Sequence, residues 1–319
     1  MTEMRPIRRS ASLLERAADH YDFGGVFVPP IASDAPAPVR PEPVEGPFFV
    51  PQTAPERKHI ASTSSVRTVG ARENTGRGIG IDRALLMRQG MLVPGAPIGA
   101  LVEEFRLIKR QLLIAARAIA AQGDKARMIL ICSANPNEGK TWCAINLAMS
   151  LAAERDTEVL LVDADFAKPD VLRRLGSTDR PGLLDALANP GVQIEDYVLA
   201  TDVPQLSLLP AGTRTPNDTE LVASERTATL LSQLIAANPR RLILFDSPPV
   251  LAASPAATLA HQVGQVMMVV RADKTSESDL RDAVGLLDGC EHIQLVLNAV
   301  SFALGGRRYG SYYGQESPL

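Results

Sequence analysis

Five polar side chains stand where apolar runs end: Lys140, Thr141, Asp163, Asp165 and Asp246. Lys140 and Thr141 close the segment Ser133-Ala-Asn-Pro-Asn-Glu-Gly-Lys-Thr141, which follows Met128-Ile-Leu-Ile-Cys132 and precedes Trp142-Cys-Ala-Ile-Asn-Leu-Ala148. A strand, a turn ending in Gly-Lys-Thr and a helix opening at that turn form the context of a phosphate-binding loop. Ala134, Asn135, Pro136, Asn137, Glu138, Gly139, Lys140, Thr141 and Trp142 would then surround a nucleotide's phosphates. Gly139 has no Cβ and permits close approach. The helix start adds unpaired N–H groups and the positive end of its dipole. Lys140 would reach the β- and γ-phosphates, and the Thr141 hydroxyl would bind Mg²⁺. The first glycine of the usual loop pattern is Ala134 here. A helix-capping Gly-Lys-Thr is the plainer alternative.

Asp163 and Asp165 follow the run Leu160-Leu-Val162 directly. In extended chain, residues two apart point the same way, so both carboxylates could face one Mg²⁺ or its waters. Taken alone, the pair could equally cap a helix near Pro169; a neighbouring phosphate loop favours the metal. Asp246 ends Arg241-Leu-Ile-Leu-Phe245 and precedes Ser247-Pro-Pro249. That is a Walker B arrangement, although Asp before Pro-Pro also makes a common turn. Lys140 with Asp163 and Asp165 forms the expected catalytic set. Thr141, Asp163 and Asp246 form the expected metal set.

The elements that must position these groups alternate. Strands are expected at Met128–Cys132, Glu158–Val162, Leu206–Leu209, Leu242–Phe245, Gln265–Arg271 and Ile293–Ala299. Helices are expected over residues 98–121, 141–153, 171–175, 183–188, 227–237, 255–262 and 276–290. In the first of these helices Leu101, Phe105, Ile108 and Leu112 recur at helical spacing. The strands are continuous apolar runs, which predicts burial on both faces. The alternation predicts an α/β fold with a doubly wound, mainly parallel sheet. Ligands of such sheets sit at the carboxyl ends of the strands, where every polar residue named above lies.

At 319 residues, 45% hydrophobic and 22% charged, the chain can bury a substantial core. A net charge of −3 gives no reason to propose nucleic acid as a partner. Cys132, Cys143 and Cys290 lack metal-ligand spacing and read as reduced core residues. No apolar run approaches the ~20 residues of a membrane span, and no secretory signal is apparent. Nine prolines within residues 29–55 exclude helix or central strand there. The expected organisation is a short possible docking helix within 1–25, a disordered linker over 26–81, a nucleotide-binding domain over 82–304 and a mobile tail over 305–319. That tail carries Tyr309, Tyr312 and Tyr313, three of the five tyrosines in the chain. Disordered tails normally lack aromatics, so the cluster reads as a set of phosphoacceptors rather than stray residues.

The order of phosphate loop, Asp-x-Asp after the next strand and Asp-Ser-Pro-Pro resembles the MinD/ParA-like branch of P-loop NTPases. Within that branch, Val162-Asp-Ala-Asp-Phe-Ala-Lys-Pro169 resembles the second Walker motif of the bacterial tyrosine kinases of capsule and exopolysaccharide systems, with Ala167 where Arg is frequent. Glu103-Glu-Phe-Arg106-Leu-Ile-Lys109 resembles their Glu-x-x-Arg-x-x-Arg self-assembly helix, with Lys109 in the last position. The segment Val102–Leu113 is most similar to tyrosine autokinases found with exosortase-type loci. The likeness covers roughly residues 82–314.

The resemblance implies an ATP·Mg²⁺-dependent protein-tyrosine autokinase. Asp163 would help deprotonate the incoming tyrosine, Asp165 would support the metal shell and Asn298 would read the adenine edge. Glu103, Arg106 and Lys109 would contact a neighbour in a ring-like homo-oligomer. The implied activator is a transmembrane polysaccharide co-polymerase, which would place this chain in the cytoplasm, peripheral to the inner membrane. Two rivals remain at this point: a MinD/ParA-like ATPase switch and a non-catalytic nucleotide-binding scaffold. Asn135 stands where the switch ATPases carry a trans-acting signature lysine.

Overall fold

The computed structural model describes residues 78–300. The tyrosines at 309, 312 and 313 and the expected docking helix lie outside the described residues. The sheet has seven strands: β1 (Met128–Ser133), β2 (Glu158–Asp163), β3 (Leu199–Ala200), β4 (Leu206–Leu209), β5 (Arg241–Asp246), β6 (Gln265–Arg271) and β7 (Ile293–Asn298). Their order is β3-β4-β2-β5-β1-β6-β7. Every pairing is parallel except β3 with β4.

The helices are α1 (Arg83–Arg88), α2 (Ala100–Ala118), α3 (Lys140–Ala152), α4 (Val171–Arg174), α5 (Leu183–Ala188), α6 (Asp218–Ala223), α7 (Glu225–Ala236), α8 (Pro255–Ala260) and α9 (Glu277–Gly285). Two apolar layers form on opposite faces of the sheet. In one, Leu130, Leu160, Ile243 and Val266 meet α5, α7 and α8. In the other, Ile129, Leu161, Leu244 and Met267 meet α2 and α3. Alternate residues of each strand feed the two layers, as the pleat requires. Phe105 and Leu112 of α2 are buried against α3, with Leu101 and Ile108 at the margin. The predicted apolar face of α2 is therefore the observed one. The cysteines are all buried, and burial pushes the Cys132 and Cys143 thiols up to about 12.

Two features differ from expectation. The expected linker ends early, because Ile79 and Ile81 are buried. The Ile79 N–H donates to Ala200 O at 2.9 Å, and Ile79 O accepts from Asp202 N at 3.1 Å. The last strand is not buried on both faces: Leu295 and Leu297 are 53% and 66% exposed. β7 is an edge strand, and none of the helices among the described residues follows it in the chain to cover that face.

The topology determines where the site must be. β5 lies between β1 and β2, so the loops leaving these three strands emerge side by side. Asp163 and Asp246 are direct partners in the parallel register, and Ile131 is the partner of Asp246 on the other side.

Candidate functional site

Between β1 and α3 the chain turns through Asn137 at φ 64° and Gly139 at φ 97°. A Cβ on Gly139 would fall 2.1 Å from Asn298 Nδ2 and displace that side chain, and the left-handed φ itself demands glycine here. Ala134 is different: its methyl is 1% exposed and belongs to the core, so alanine is accommodated where the usual pattern has glycine. No side chain caps α3, which leaves its first-turn N–H groups available to an anion held by the loop.

The loop is braced from behind. Asn298 Nδ2 donates to Glu138 O at 2.8 Å, so this amide buttresses the loop instead of facing outward to a base. The buried Glu138 carboxylate accepts from Asn135 N at 3.0 Å and from Thr275 Oγ1 at 2.5 Å. Arg271 Nη1 donates to Asn137 O at 2.9 Å. Asn135 Nδ2 donates to Asp279 Oδ2 at 2.9 Å, and this bond, together with Ser276, holds the Asp279 carboxyl below the usual range. The residue standing in the signature-lysine position thus ties the loop to α9 of its own chain.

At the front, Lys140 Nζ lies 2.6 Å from Asp165 Oδ2 and 3.5 Å from Thr141 Oγ1. Burial disfavours the ammonium, but the Asp246 and Asp165 carboxylates outweigh it and raise the Lys140 pKa. Asp165, expected in the metal shell, is the partner of Lys140 in this structure. Asp163 is almost closed to solvent. Its Oδ2 accepts from the N–H groups of Asp170 and Val171, both at 3.0 Å. Its Oδ1 accepts only from Asp165 N, at 3.3 Å, and keeps a lone pair open. Burial, then the Asp246 charge, raises the Asp163 pKa against these N–H bonds.

Asp246 has zero exposure, and neither carboxylate oxygen has a hydrogen-bond partner. Burial pushes its pKa up, offset in part by the Lys140 charge and then by the neighbouring Thr141 hydroxyl, which favours the carboxylate although it meets no strict hydrogen-bond geometry with it. A buried carboxylate without partners is costly unless a cation or water completes it. Thr141, Asp163 and Asp246 offer the oxygen-only donor set that Mg²⁺ takes, with room for retained waters.

Two cavities open here. One, of about 300 Å³, is bordered by Gly139, Lys140, Thr141, Asp165, Arg174 and Pro248. The second, of about 440 Å³, is bordered by Asp163, Pro169, Arg180, Pro210 and Arg214. Asp170 borders both. Trp142 also lines the first cavity; its Nε1 donates to Gln89 O at 3.1 Å, and its ring lies 5.8 Å from that of Phe105. Gln89, Asp170 and Arg174 belong to no motif spacing and were invisible in the sequence.

The α2 residues divide. Glu103 and Arg106 pair with each other at 2.5 Å on the outer face of the helix. Lys109 corrects the expectation of an intersubunit contact: it is buried, donates to Ser150 O at 3.1 Å and pairs with Glu154 at 2.6 Å. Its alkyl stem and charge join α2 to α3 within one chain.

Comparison with known proteins agrees with this geometry. The profile of the AAA domain family matches residues 126–288. The chain is 31% identical over 229 residues to the putative tyrosine-protein kinase EpsB of Ralstonia nicotianae, covering 71% of this chain and 29% of that protein. It is 27% identical over 228 residues to the putative tyrosine-protein kinase CapB of Staphylococcus aureus, covering 71% of this chain and 96% of that one. The chain thus spans under a third of EpsB but nearly all of CapB. Among solved structures, the BceF tyrosine kinase domain superposes with a TM-score of 0.52 at 32% identity, covering 61% of this chain and 76% of that one. These matches show that the chain belongs to the bacterial tyrosine-protein kinase family, on a P-loop α/β fold.

Proposed function

We propose that this chain is an ATP-dependent protein-tyrosine autokinase that modifies Tyr309, Tyr312 and Tyr313 of a second copy. The observation that carries this reading is the unpartnered Asp246 carboxylate, buried beside Thr141 and in register with Asp163. It fits a Mg·nucleotide site, and kinship with tyrosine kinases supplies the acceptor class. Thr141, Asp246 and Asp163 would hold Mg²⁺, which when bound offsets charge on the phosphates.

The chain's own residues do the rest. The loop N–H groups and α3 hold the phosphates. Lys140 exchanges Asp165 for the β,γ-phosphate oxygens. Asp163 Oδ1, the less encumbered oxygen, takes the phenol proton. The phenolic oxygen bonds to the γ-phosphorus as the bond from that phosphorus to the ADP oxygen breaks, and ADP departs. The chemistry is chiefly positioning and electrostatics.

Glu103 and Arg106 would meet a neighbour in a homo-oligomer. Each phosphotyrosine adds roughly −1.5 to −2 charge, and repulsion among tails would loosen that assembly and regulate polysaccharide synthesis or export. No helix among the described residues is long and apolar enough to cross a membrane. A transmembrane polysaccharide co-polymerase would recruit the chain to the inner membrane through residues 1–25, which a pull-down with and without that segment tests.

The central experiment incubates the full chain with ATP·Mg²⁺ and the partner's cytoplasmic segment, then maps phosphotyrosine by mass spectrometry. Label at 309, 312 or 313 is expected. ATP hydrolysis without label would leave an ATPase switch, and no ATP binding would leave a scaffold.

A further inference from the structure

The cavity in front of the phosphate loop is lined by a second anchored cation besides Lys140. Arg174, at the end of α4, borders that cavity and is one-third exposed. It is held at three points. Its Nε donates to Asp170 Oδ2 at 2.5 Å, its Nη1 donates to Gln89 Oε1 at 3.2 Å, and its backbone oxygen accepts from Gln89 Nε2 at 3.1 Å. Gln89 is itself held through its carbonyl by Trp142 Nε1. A long side chain that normally loses much rotamer freedom on binding is already ordered here.

Charge and donor count say what the ordering is for. The Asp170 carboxylate takes Arg173 on Oδ1 and Arg174 on Oδ2, so one negative charge serves two guanidiniums. One positive charge is left over. A guanidinium carries five N–H donors, and two of those on Arg174 are used. Nη2 and the second Nη1 hydrogen have no acceptor among the described residues. Lys168, on the same cavity, is exposed and unanchored, and Ala167 leaves its part of the wall uncharged. The cavity is bordered by Gly139, Lys140, Thr141 and Asp165, and the lysine of such a loop reaches the last phosphates of a nucleoside triphosphate.

The geometry points to Arg174 as the group that recognises the terminal phosphate of the nucleotide, so that the cavity distinguishes a triphosphate from a diphosphate. This rests on the nucleotide-binding part of the reading above and not on the tyrosine acceptor. The planar fork meets two phosphate oxygens with its free donors while Asp170 and Gln89 keep its plane fixed.

The test is calorimetric titration of the full chain with ATP and with ADP, each with Mg²⁺. R174A is expected to weaken ATP about tenfold or more, the scale of a lost charge-assisted contact, while ADP changes less than threefold. R174K should fall between, since an ammonium keeps charge but not the fork. R240A, which loses an exposed guanidinium paired with Glu158 at the opposite end of β2, should leave both affinities unchanged. Thermal melts confirm that each variant is folded. An unchanged ratio of ATP to ADP affinity in R174A, whether through no loss or parallel loss, overturns the inference. Protein that binds ATP with this selectivity yet labels no tyrosine would refute the kinase reading and leave Arg174 standing.

Discussion

Lys140 Nζ sits 2.6 Å from Asp165 Oδ2, with both side chains nearly closed to solvent. Before any nucleotide binds, the cation that phosphates need is engaged by a carboxylate from the β2 loop. Removing either partner strands the other in a poorly hydrated place, and breaking such a pair costs about 3–5 kcal/mol when burial is complete. Residual exposure reduces that figure. K140M and D165N should each lower the unfolding free energy of the nucleotide-free chain by ~1–3 kcal/mol. The double variant should lose clearly less than the sum, as neighbours in contact do. Urea denaturation measures all three, and strict additivity would show that the pair is not coupled.

Asp246 yields a prediction of opposite sign. Its carboxylate is fully buried with no hydrogen bond, and Lys140 and Thr141 offset that burial only in part, so D246N should stabilise the metal-free chain by about 1–3 kcal/mol while abolishing phosphoryl transfer. A lower melting temperature for D246N without metal would contradict this account of the site.

The pH dependence follows from the same pair. The Asp163 and Asp246 pKa values are raised in the folded chain, by burial in both cases. Above the ordinary carboxylate range the folded state therefore binds more protons than the unfolded state, and this contribution to stability falls as pH rises. The loss is complete once pH passes the raised folded values. Metal-free wild type should show a declining melting temperature between pH 5 and pH 9. The decline should be shallower in D246N and shallower again for wild type with saturating Mg²⁺ and nucleotide. A wild-type slope identical to that of D246N would reject the assignment.

Gly139 and Asn298 form a fourth test. G139A introduces a methyl 2.1 Å from Asn298 Nδ2 at a backbone φ of 97°. Nucleotide affinity should drop by at least about tenfold, as left-handed strain and a clash each cost on the order of 1 kcal/mol or more. N298A removes the clash but not the strain, so G139A/N298A should recover only part of the affinity. Full recovery would show that φ is irrelevant at this turn.

For α2, R106A should reduce self-association measured by sedimentation, since Arg106 lies on the outer face. K109A should leave association unchanged and lower the melting temperature, because Lys109 ties α2 to Ser150 and Glu154. The reverse pattern would return Lys109 to an interface.

Much of this was readable from the chain because it depends on local pattern. Short apolar runs at 128–132, 158–162 and 242–245 between polar turns fit central strands, and in a parallel sheet the polar residues following them gather at the carboxyl ends of the strands. What escaped depends on distant apposition. Nothing near Lys140 announces Asp165 as its partner, because two loops must first be set side by side. The family resemblance put Asn298 at the base and Lys109 at a subunit contact, since a motif match names a position but not what packs on it in this chain. β3 and α1 are too short for periodicity; antiparallel pairing of Leu199 with Leu208 and Ala200 with Ser207 makes the first, and the Asp82 cap on Leu85 N starts the second. Tertiary context supplies what propensity lacks there.

The carboxyl of Asp170 balances two arginines, its N–H steadies Asp163, and its surface is common to both cavities. One residue therefore belongs to the wall of both cavities. A substitution at Asp170 cannot reshape one of them in isolation, so its effects on the two will travel together.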